Sequence, residues 1–186
     1  MATMAAMASI MDHMVSPPDL PYQHNLVVNS VNKSIMFSVY GDPKPQKRPM
    51  FIANRTGEAN KRFRVVSPSN VKTCNFTKKI KELLTGLPSP YFGKEDKLAV
   101  FVTFRMKRAD SHFEKSKRAS GNVKIEYRGR MPGGGDIDNL LKQTLDCLSK
   151  IVYDDDRMIS TLVVTKIWCD DHNSEGSTTV AIKKTK

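Results

Sequence analysis

Alternating apolar and polar residues predict β-strands in four segments of the chain. In the first segment Ile35, Phe37 and Val39 fall on one face, because successive side chains of a strand point to opposite sides. The four segments are 34–40, 98–106, 159–168 and 178–184. A short apolar run at 50–53 precedes the polar and basic residues 54–69, which predict a loop or a ragged hairpin.

Two further segments carry apolar residues at helical spacing. The first stripe consists of Phe76, Ile80, Leu83, Leu84 and Leu87, and the second of Leu141, Leu145, Leu148 and Val152. Ser69 is placed to cap the first helix. The second helix is predicted from about Asp138 to Lys150, after Pro132 and three glycines break the chain.

This mixed order of elements predicts an α+β domain. We expect a single mixed β-sheet of four to five strands with two main helices on one face. A chain of 186 residues suffices for one such domain, which we assign to residues 33–186. Residues 1–32 are rich in Met and Ala and then in Pro, and we expect them to form a mobile N-terminal extension.

The charge is large and unevenly distributed. The formal net charge is +11 and the pI is about 9.6. Residues 44–130 carry 22 basic and 7 acidic side chains, whereas residues 131–186 carry 7 basic and 9 acidic ones. A protein this basic usually binds a polyanion, above all nucleic acid. No stretch approaches eighteen apolar residues, so no membrane partner is expected.

Cysteine and histidine usage bears on metal sites and on the compartment. The three cysteines form no CxxC pair, which indicates neither a zinc site nor a disulfide framework, and the four histidines lack metal-ligand spacing. No Lys or Arg precedes Lys33, whereas secretory and mitochondrial targeting segments need basic residues. We therefore expect an intracellular, reducing compartment, the cytoplasm or the nucleus, without secretion.

The acidic C-terminal region, residues 131–186, contains six aspartates within a stretch of 21 residues. They are Asp136, Asp138, Asp146, Asp154, Asp155 and Asp156. Carboxylates are the ligands that Mg²⁺ prefers, and a metal ion beside a basic surface suits an enzyme acting on phosphates. Each part also has a structural interpretation, because an aspartate can cap a helix and Asp-Asp-Asp can form a turn. Lys142, one turn after Asp138, could likewise form an ordinary surface ion pair.

Several runs of residues resemble the signature of RusA-type Holliday junction resolvases. The runs are GDIDNLLK at 135–142, LDCL at 145–148 and VYDDDRMI at 152–159, followed by Lys166. In addition, FSVYGDP at 37–43 with Arg48 and Pro49 is similar to the family's opening strand and turn. The resemblance spans about residues 35–184, and residue types, order and gaps all agree.

The resemblance implies a Mg²⁺-dependent endonuclease, with Mn²⁺ as a possible substitute. Its substrate would be a four-way DNA junction, resolved by paired phosphodiester hydrolysis in recombination, repair or replication. The family's metal-binding catalytic acids match Asp136, Asp138 and Asp156, and its catalytic lysine matches Lys142. Asp155 matches the first member of the family's Asp-Asp pair, as a metal ligand or as its support.

Basic side chains are expected to bind the phosphates of the junction. The DNA-binding residues that we predict are Lys47, Arg48, Arg62, Arg64, Arg128, Arg130 and Lys166. Some relatives carry basic residues just before the DxD motif, where this chain has glycines at 133–135, so we expect that contact at Arg128 and Arg130 instead. The basic segment 107–130 is also longer than the compact family pattern.

The helix between the two groups of acids imposes a distance. Twelve residues at ~1.5 Å each separate them by roughly 18 Å. Either residues 151–154 double back along the helix, or Asp156 of one subunit joins Asp136 and Asp138 of the other. We favour the second arrangement, since a homodimer also supplies two opposed cuts. The alternatives to a nuclease are a non-catalytic basic DNA-binding protein and an inactive scaffold relative.

Overall fold

A computed structural model describes residues 26–45, 50–53, 63–66, 71–115, 121–170 and 172–185. Its strands are β1 (Leu26–Asn29), β2 (Ser34–Tyr40), β3 (Met50–Ala53), β4 (Phe63–Val66), β5 (Leu98–Lys107), β6 (Ile159–Cys169) and β7 (Ser177–Lys184). Its α-helices are α1 (Val71–Leu83), α2 (Ile125–Arg128) and α3 (Ile137–Leu148). Short 3-10 helices lie at Asp110–His112 and Asp156–Met158.

Five strands form one mixed sheet in the order β1-β2-β7-β5-β6. Strands β5 and β6 are parallel, and the other neighbours are antiparallel. The connection between β5 and β6 contains α2 and α3, as parallel neighbours require a long crossover. Strand β6 is therefore an edge strand that lies beside α3. Strands β3 and β4 form a separate antiparallel pair.

The core lies between one face of the sheet and the two longer helices. Phe37 pairs with Val180 and Val180 with Val102, so their side chains share that face, and all three are buried. Ile80 of α1 and Leu140 of α3 pack in the same cluster. Apolar side chains at helical spacing thus bury both helices on one side of the sheet, and the predicted α+β architecture is confirmed.

The elements differ from the predictions mainly at their margins. The four predicted strands are present as β2, β5, β6 and β7, and the residues predicted as a ragged hairpin contain β4, which pairs with β3. Strand β1 was not predicted, because its four residues have too short a pattern. It pairs with β2, so Leu26–Asn29 belong to the sheet, although the expected extension included them. Residues 1–25 of that extension lie outside the described residues.

Membrane insertion was not expected from the sequence. Of the helices in the described part of the chain, none is long and apolar enough to cross a membrane.

Candidate active site

Asp136 is the N-cap residue of α3, but its side chain does not cap the helix. Its backbone is extended, with φ −72° and ψ 145°, and its carboxylate makes no cap hydrogen bond. Its backbone carbonyl accepts the first hydrogen bond of the helix, from the N–H of Leu140 at 3.1 Å. Asp136 and Asp138 are both exposed. The capping interpretation of Asp136 therefore does not apply, and its carboxylate faces solvent at the start of the helix.

The segment before α3, residues 130–136, is named the glycine turn here. Gly134 and Gly135 have φ +85° and +109°, in a region that side chains disfavour. A Cβ at Gly135 would lie 2.8 Å from Pro45 Cγ, and one at Gly134 would lie 2.5 Å from Met106 Cε. A side chain at either position would therefore be strained on this backbone.

Two side chains of β6 donate to the ends of the glycine turn. Lys166 Nζ donates to the carbonyl of Gly135 at 2.7 Å. Trp168 Nε1 donates to the carbonyl of Arg130 at 2.7 Å. Lys166, which we predicted to bind DNA, thus has a partner within the protein, adjacent to Asp136.

The exposed face of α3 carries the acid-lysine stripe expected from the sequence. Asp138, Lys142 and Asp146 follow at intervals of four residues, and all three are exposed. The opposite face, with Leu140 and Leu148, is buried in the core. Burial of one face consequently directs this stripe outward.

The second acidic group follows α3 in a tight turn, residues 149–156, named the acidic turn here. The N–H of Lys150 donates to the carbonyl of Tyr153 at 2.7 Å, and Tyr153 Oη donates to the carbonyl of Leu145 at 3.1 Å. Burial, and then the negative charges of Asp156 and Asp146, raise the pKa of Tyr153. Asp156 and Asp146 therefore both act on the Tyr153 hydroxyl, which lies at the C-terminal end of α3.

The other two acids of the acidic turn, Asp154 and Asp155, form ion pairs with basic side chains. Arg157 donates Nε and Nη2 to the two oxygens of Asp155, each at 2.9 Å, and its N–H also donates to Asp155. These bonds lower the pKa of Asp155. The ion pair with Lys150, at 2.7 Å, likewise lowers the pKa of Asp154. In this arrangement both carboxylate oxygens of Asp155, predicted as a metal ligand or as its support, accept from Arg157.

The two acidic groups lie at opposite ends of α3. The helix itself separates them by roughly 18 Å at ~1.5 Å per residue. Strand β6 gives a second measure of this separation. It begins at Ile159, three residues after Asp156, and its Lys166 contacts Gly135 at the other end of α3. The seven residue steps from Ile159 to Lys166 span about 23 Å. Residues 151–154 turn at the end of the helix and do not double back along it. Within the described ranges, no three His, Cys, Asp or Glu side chains lie close enough to bind one metal ion.

Two of the predicted DNA-binding arginines lie at the start of the glycine turn, since Arg130 is its first residue and Arg128 comes two residues earlier. Arg128 Nε donates to the carbonyl of Val123 at 3.1 Å, and Arg130 Nε donates to that of Glu126 at 3.0 Å. Both side chains are exposed. Their orientation is thus fixed through Nε near the start of α3. Arg64 lies in β4, whereas Lys47, Arg48 and Arg62 lie outside the described residues.

A stack of aromatic rings supports Arg130, and the sequence analysis did not predict it. The Arg130 guanidinium lies 4.5 Å from the Tyr127 ring, which stacks on His112 at 4.2 Å. His112 meets Trp168 edge-on at 5.6 Å. Burial and the charges of Arg108, Arg130 and Lys124 lower the pKa of His112. The only signal in the sequence was the long basic segment 107–130, which has no periodicity.

Buried Arg108 joins this stack to the end of β6. Its Nε donates to Asp170 at 2.7 Å, its Nη1 donates to the carbonyl of Tyr127 at 3.0 Å, and its guanidinium lies 5.0 Å from the ring of Trp168. Arg108 and His112, from the described part of this segment, accordingly pack against Trp168, on the same strand that contacts the glycine turn.

Comparison with known proteins finds a family model that matches this chain. The family model described as endodeoxyribonuclease RusA matches residues 41–183. This range includes the glycine turn, α3, the acidic turn and β6. A search of curated proteins finds no match.

Proposed function

Because the chain belongs to the RusA endodeoxyribonuclease family, we propose that it is a metal-dependent endonuclease that resolves four-way DNA junctions in recombination, repair or replication. The observation that carries this proposal is Asp136, a helix N-cap whose carboxylate does not cap. A structural aspartate at this position would accept from the first turn of the helix. Its carboxylate is instead available, two residues from that of Asp138.

Asp136 and Asp138 would hold a Mg²⁺ ion, or Mn²⁺ in its place, because both supply exposed carboxylate oxygens. A bound divalent ion would act as a Lewis acid on the phosphodiester and lower the pKa of a coordinated water. Lys142, one turn further along α3, would place a positive charge near the scissile phosphate and stabilise the negative charge that develops there.

The separation of the two acidic groups supports a site shared between subunits. Asp136 and Asp138 of one chain would meet Asp156 of the partner subunit if two α3 helices pack antiparallel across a two-fold axis. The outer side of α3 and β6 offers apolar surface for that contact, since Ile137 and Leu162 are 41% and 40% exposed. The dimer would then contain two sites, as two opposed cuts require.

The DNA would lie across the arginines beside the glycine turn. Arg128 ends the short α2 and Arg130 begins the glycine turn. Both have their Nε atoms bonded to the protein, which leaves their outer edges for phosphate oxygens. The high positive charge of residues 44–130 would add contacts over a wider surface. We accordingly expect strong salt dependence of junction binding.

A junction-cleavage assay tests this function. The purified protein is incubated with a synthetic mobile four-way junction and with linear duplex of the same length, each with and without Mg²⁺. We expect paired nicks in the junction only when Mg²⁺ is present. Junction binding in EDTA without nicking in Mg²⁺ would instead identify a non-catalytic DNA-binding protein or an inactive scaffold relative.

A further inference from the structure

The glycine turn depends on β6 for its position. Lys166 and Trp168 are two residues apart on this strand, so their side chains lie on the same face. They donate to the carbonyls of Gly135 and Arg130, at opposite ends of the turn. Between these ends, Met131 is 86% exposed, so the core does not anchor it. The two hydrogen bonds therefore provide specific tertiary contacts at both ends of a turn whose Met131 side chain lies outside the core.

The bond from Lys166 acts directly on the backbone of Asp136. The carbonyl of Gly135 and the N–H of Asp136 belong to one planar peptide unit. A donor on that carbonyl limits rotation of the whole unit, next to two glycines that would otherwise allow many conformations. The orientation of the Asp136 carboxylate follows from this peptide plane.

We infer that Lys166 is a positioning residue for Asp136 and not a DNA contact. This inference rests on the proposed nuclease function, in which Asp136 must adopt one orientation. The half-buried Lys166 side chain has its ammonium 2.7 Å from a protein carbonyl, whereas Arg128 and Arg130 are exposed. The positive charge of Lys166 thus fixes a backbone group beside the acids.

The two roles predict different measurements. A lysine that contacts a phosphate contributes to binding, and its loss reduces the slope of log K against log salt by about 1. A positioning lysine leaves binding and slope unchanged, and its loss reduces kcat, because misplacing a catalytic group by about 1 Å can cost ~100-fold in rate.

The experiment compares Lys166→Met with Lys166→Arg, and uses Lys183→Met as the matched control, because Lys183 is also a half-buried strand lysine and lies in β7. For Lys166→Met we expect kcat for junction nicking to fall between about 10-fold and 100-fold. We expect the junction Kd in EDTA and its salt slope to stay at the wild-type values. Lys166→Arg should recover part of kcat, since it retains an N–H donor. Weaker binding with a reduced slope and unchanged kcat would overturn the inference, as would no change at all.

A second measurement does not require nuclease activity. In ¹H-¹⁵N spectra of the protein alone, Lys166→Met should shift and broaden the amide signals of Gly135 and Asp136, whereas Lys183→Met should leave them in place. Unshifted signals would overturn the role of Lys166 even if the protein cuts junctions. A wild-type protein that cuts no junction would refute the proposed function, while the shifts would still decide the role of Lys166. If Lys166→Met does not fold, Lys166→Gln enters the same measurements.

Discussion

The glycine turn and the acidic turn both present aspartates, but they fix them by opposite means. In the glycine turn the backbone is fixed, by contacts to Gly135 from Lys166 and Pro45, and the carboxylate of Asp136 has no cap bond. In the acidic turn the side chains are fixed, because cations bind Asp154 and Asp155. A carboxylate whose oxygens accept from a lysine or arginine has fewer lone pairs left for a metal ion than one that is oriented only by its backbone.

We propose that this difference separates acids that hold the structure from acids that serve the reaction. Asp155 and Asp154 belong to the first kind, and Asp136 belongs to the second. Asp156 has no ion pair among the salt bridges of the described residues, and lies one residue beyond the two neutralised acids. The predictions that follow test this division, from the largest expected effect to the smallest.

Asp138→Asn should reduce junction nicking by more than about 100-fold while leaving junction binding intact. The substitution removes a carboxylate charge from the proposed metal site but leaves the basic surface unchanged. Nicking and gel-shift assays on the same junction measure the two effects, with the exposed Asp110→Asn as control. Loss of binding together with nicking, in a protein that remains folded, would assign Asp138 to the structure instead.

Two inactive variants should complement each other if the site is shared. When Asp138→Asn and Asp156→Asn chains exchange subunits, each heterodimer contains one site with both defects and one with neither. We expect about a quarter of the wild-type nicking rate from an equal mixture, without paired resolution. Native mass spectrometry establishes that heterodimers form. Heterodimers without any nicking would refute the shared site.

Gly135→Ala should lower junction nicking by at least about 10-fold, because a misplaced acid is costly. Alanine disfavours the φ of +109° at this position, and its Cβ would approach Pro45 Cγ to 2.8 Å. Gly133→Ala is the matched control, since no atom within 4 Å meets a Cβ there. Equal activity of the two variants would show that the backbone of the glycine turn does not determine activity.

Arg157→Leu should change nicking by less than about 3-fold, because exposed ion pairs contribute little. The substitution removes the bidentate pair and returns the pKa of Asp155 toward its ordinary value. Arg157→Lys keeps the charge without the two-pronged geometry and serves as the comparison. A fall of more than about 10-fold in the nicking rate would place Asp155 or Arg157 in the catalytic site and contradict the proposed difference between the two turns.

Asp96→Asn should lower the free energy of unfolding at neutral pH and leave junction nicking unchanged. The buried Asp96 pairs with Lys33 and Lys184, at 2.5 and 2.7 Å, and these bonds lower its pKa from 3.8 to about 2. Because the pKa is lower in the folded state, the ionised carboxylate stabilises the protein above about pH 4, and this contribution is lost as the pH falls toward 2. Urea unfolding of the variant should therefore depend less on pH in this window. An unchanged pH profile would contradict the ion cluster.

Much of the fold could be predicted because burial leaves a periodic trace in the sequence. The alternation of Ile35, Phe37 and Val39 predicted β2 with its observed bounds, and the stripe from Leu141 to Leu148 predicted α3 within a residue or two of its ends. Strand β1 was missed, since four residues that end in a turn show no sustained period. The stack on Tyr127 was missed for a similar reason, because ring contacts between separate loops follow no spacing.

The sequence by itself determined the elements, the uneven charge and the DxD motif at the start of a helix, because these are properties of neighbouring residues. Tertiary structure alone decided that Lys166 contacts Gly135, 31 positions away, and that Asp156 lies at the far end of α3 from Asp136. The physical reason is range. Local patterns record which side of an element is buried, whereas the distance between two side chains depends on how whole elements pack. The sequence predicted a DNA contact for Lys166, and only the packing of β6 beside the glycine turn shows that its ammonium reaches the carbonyl of Gly135.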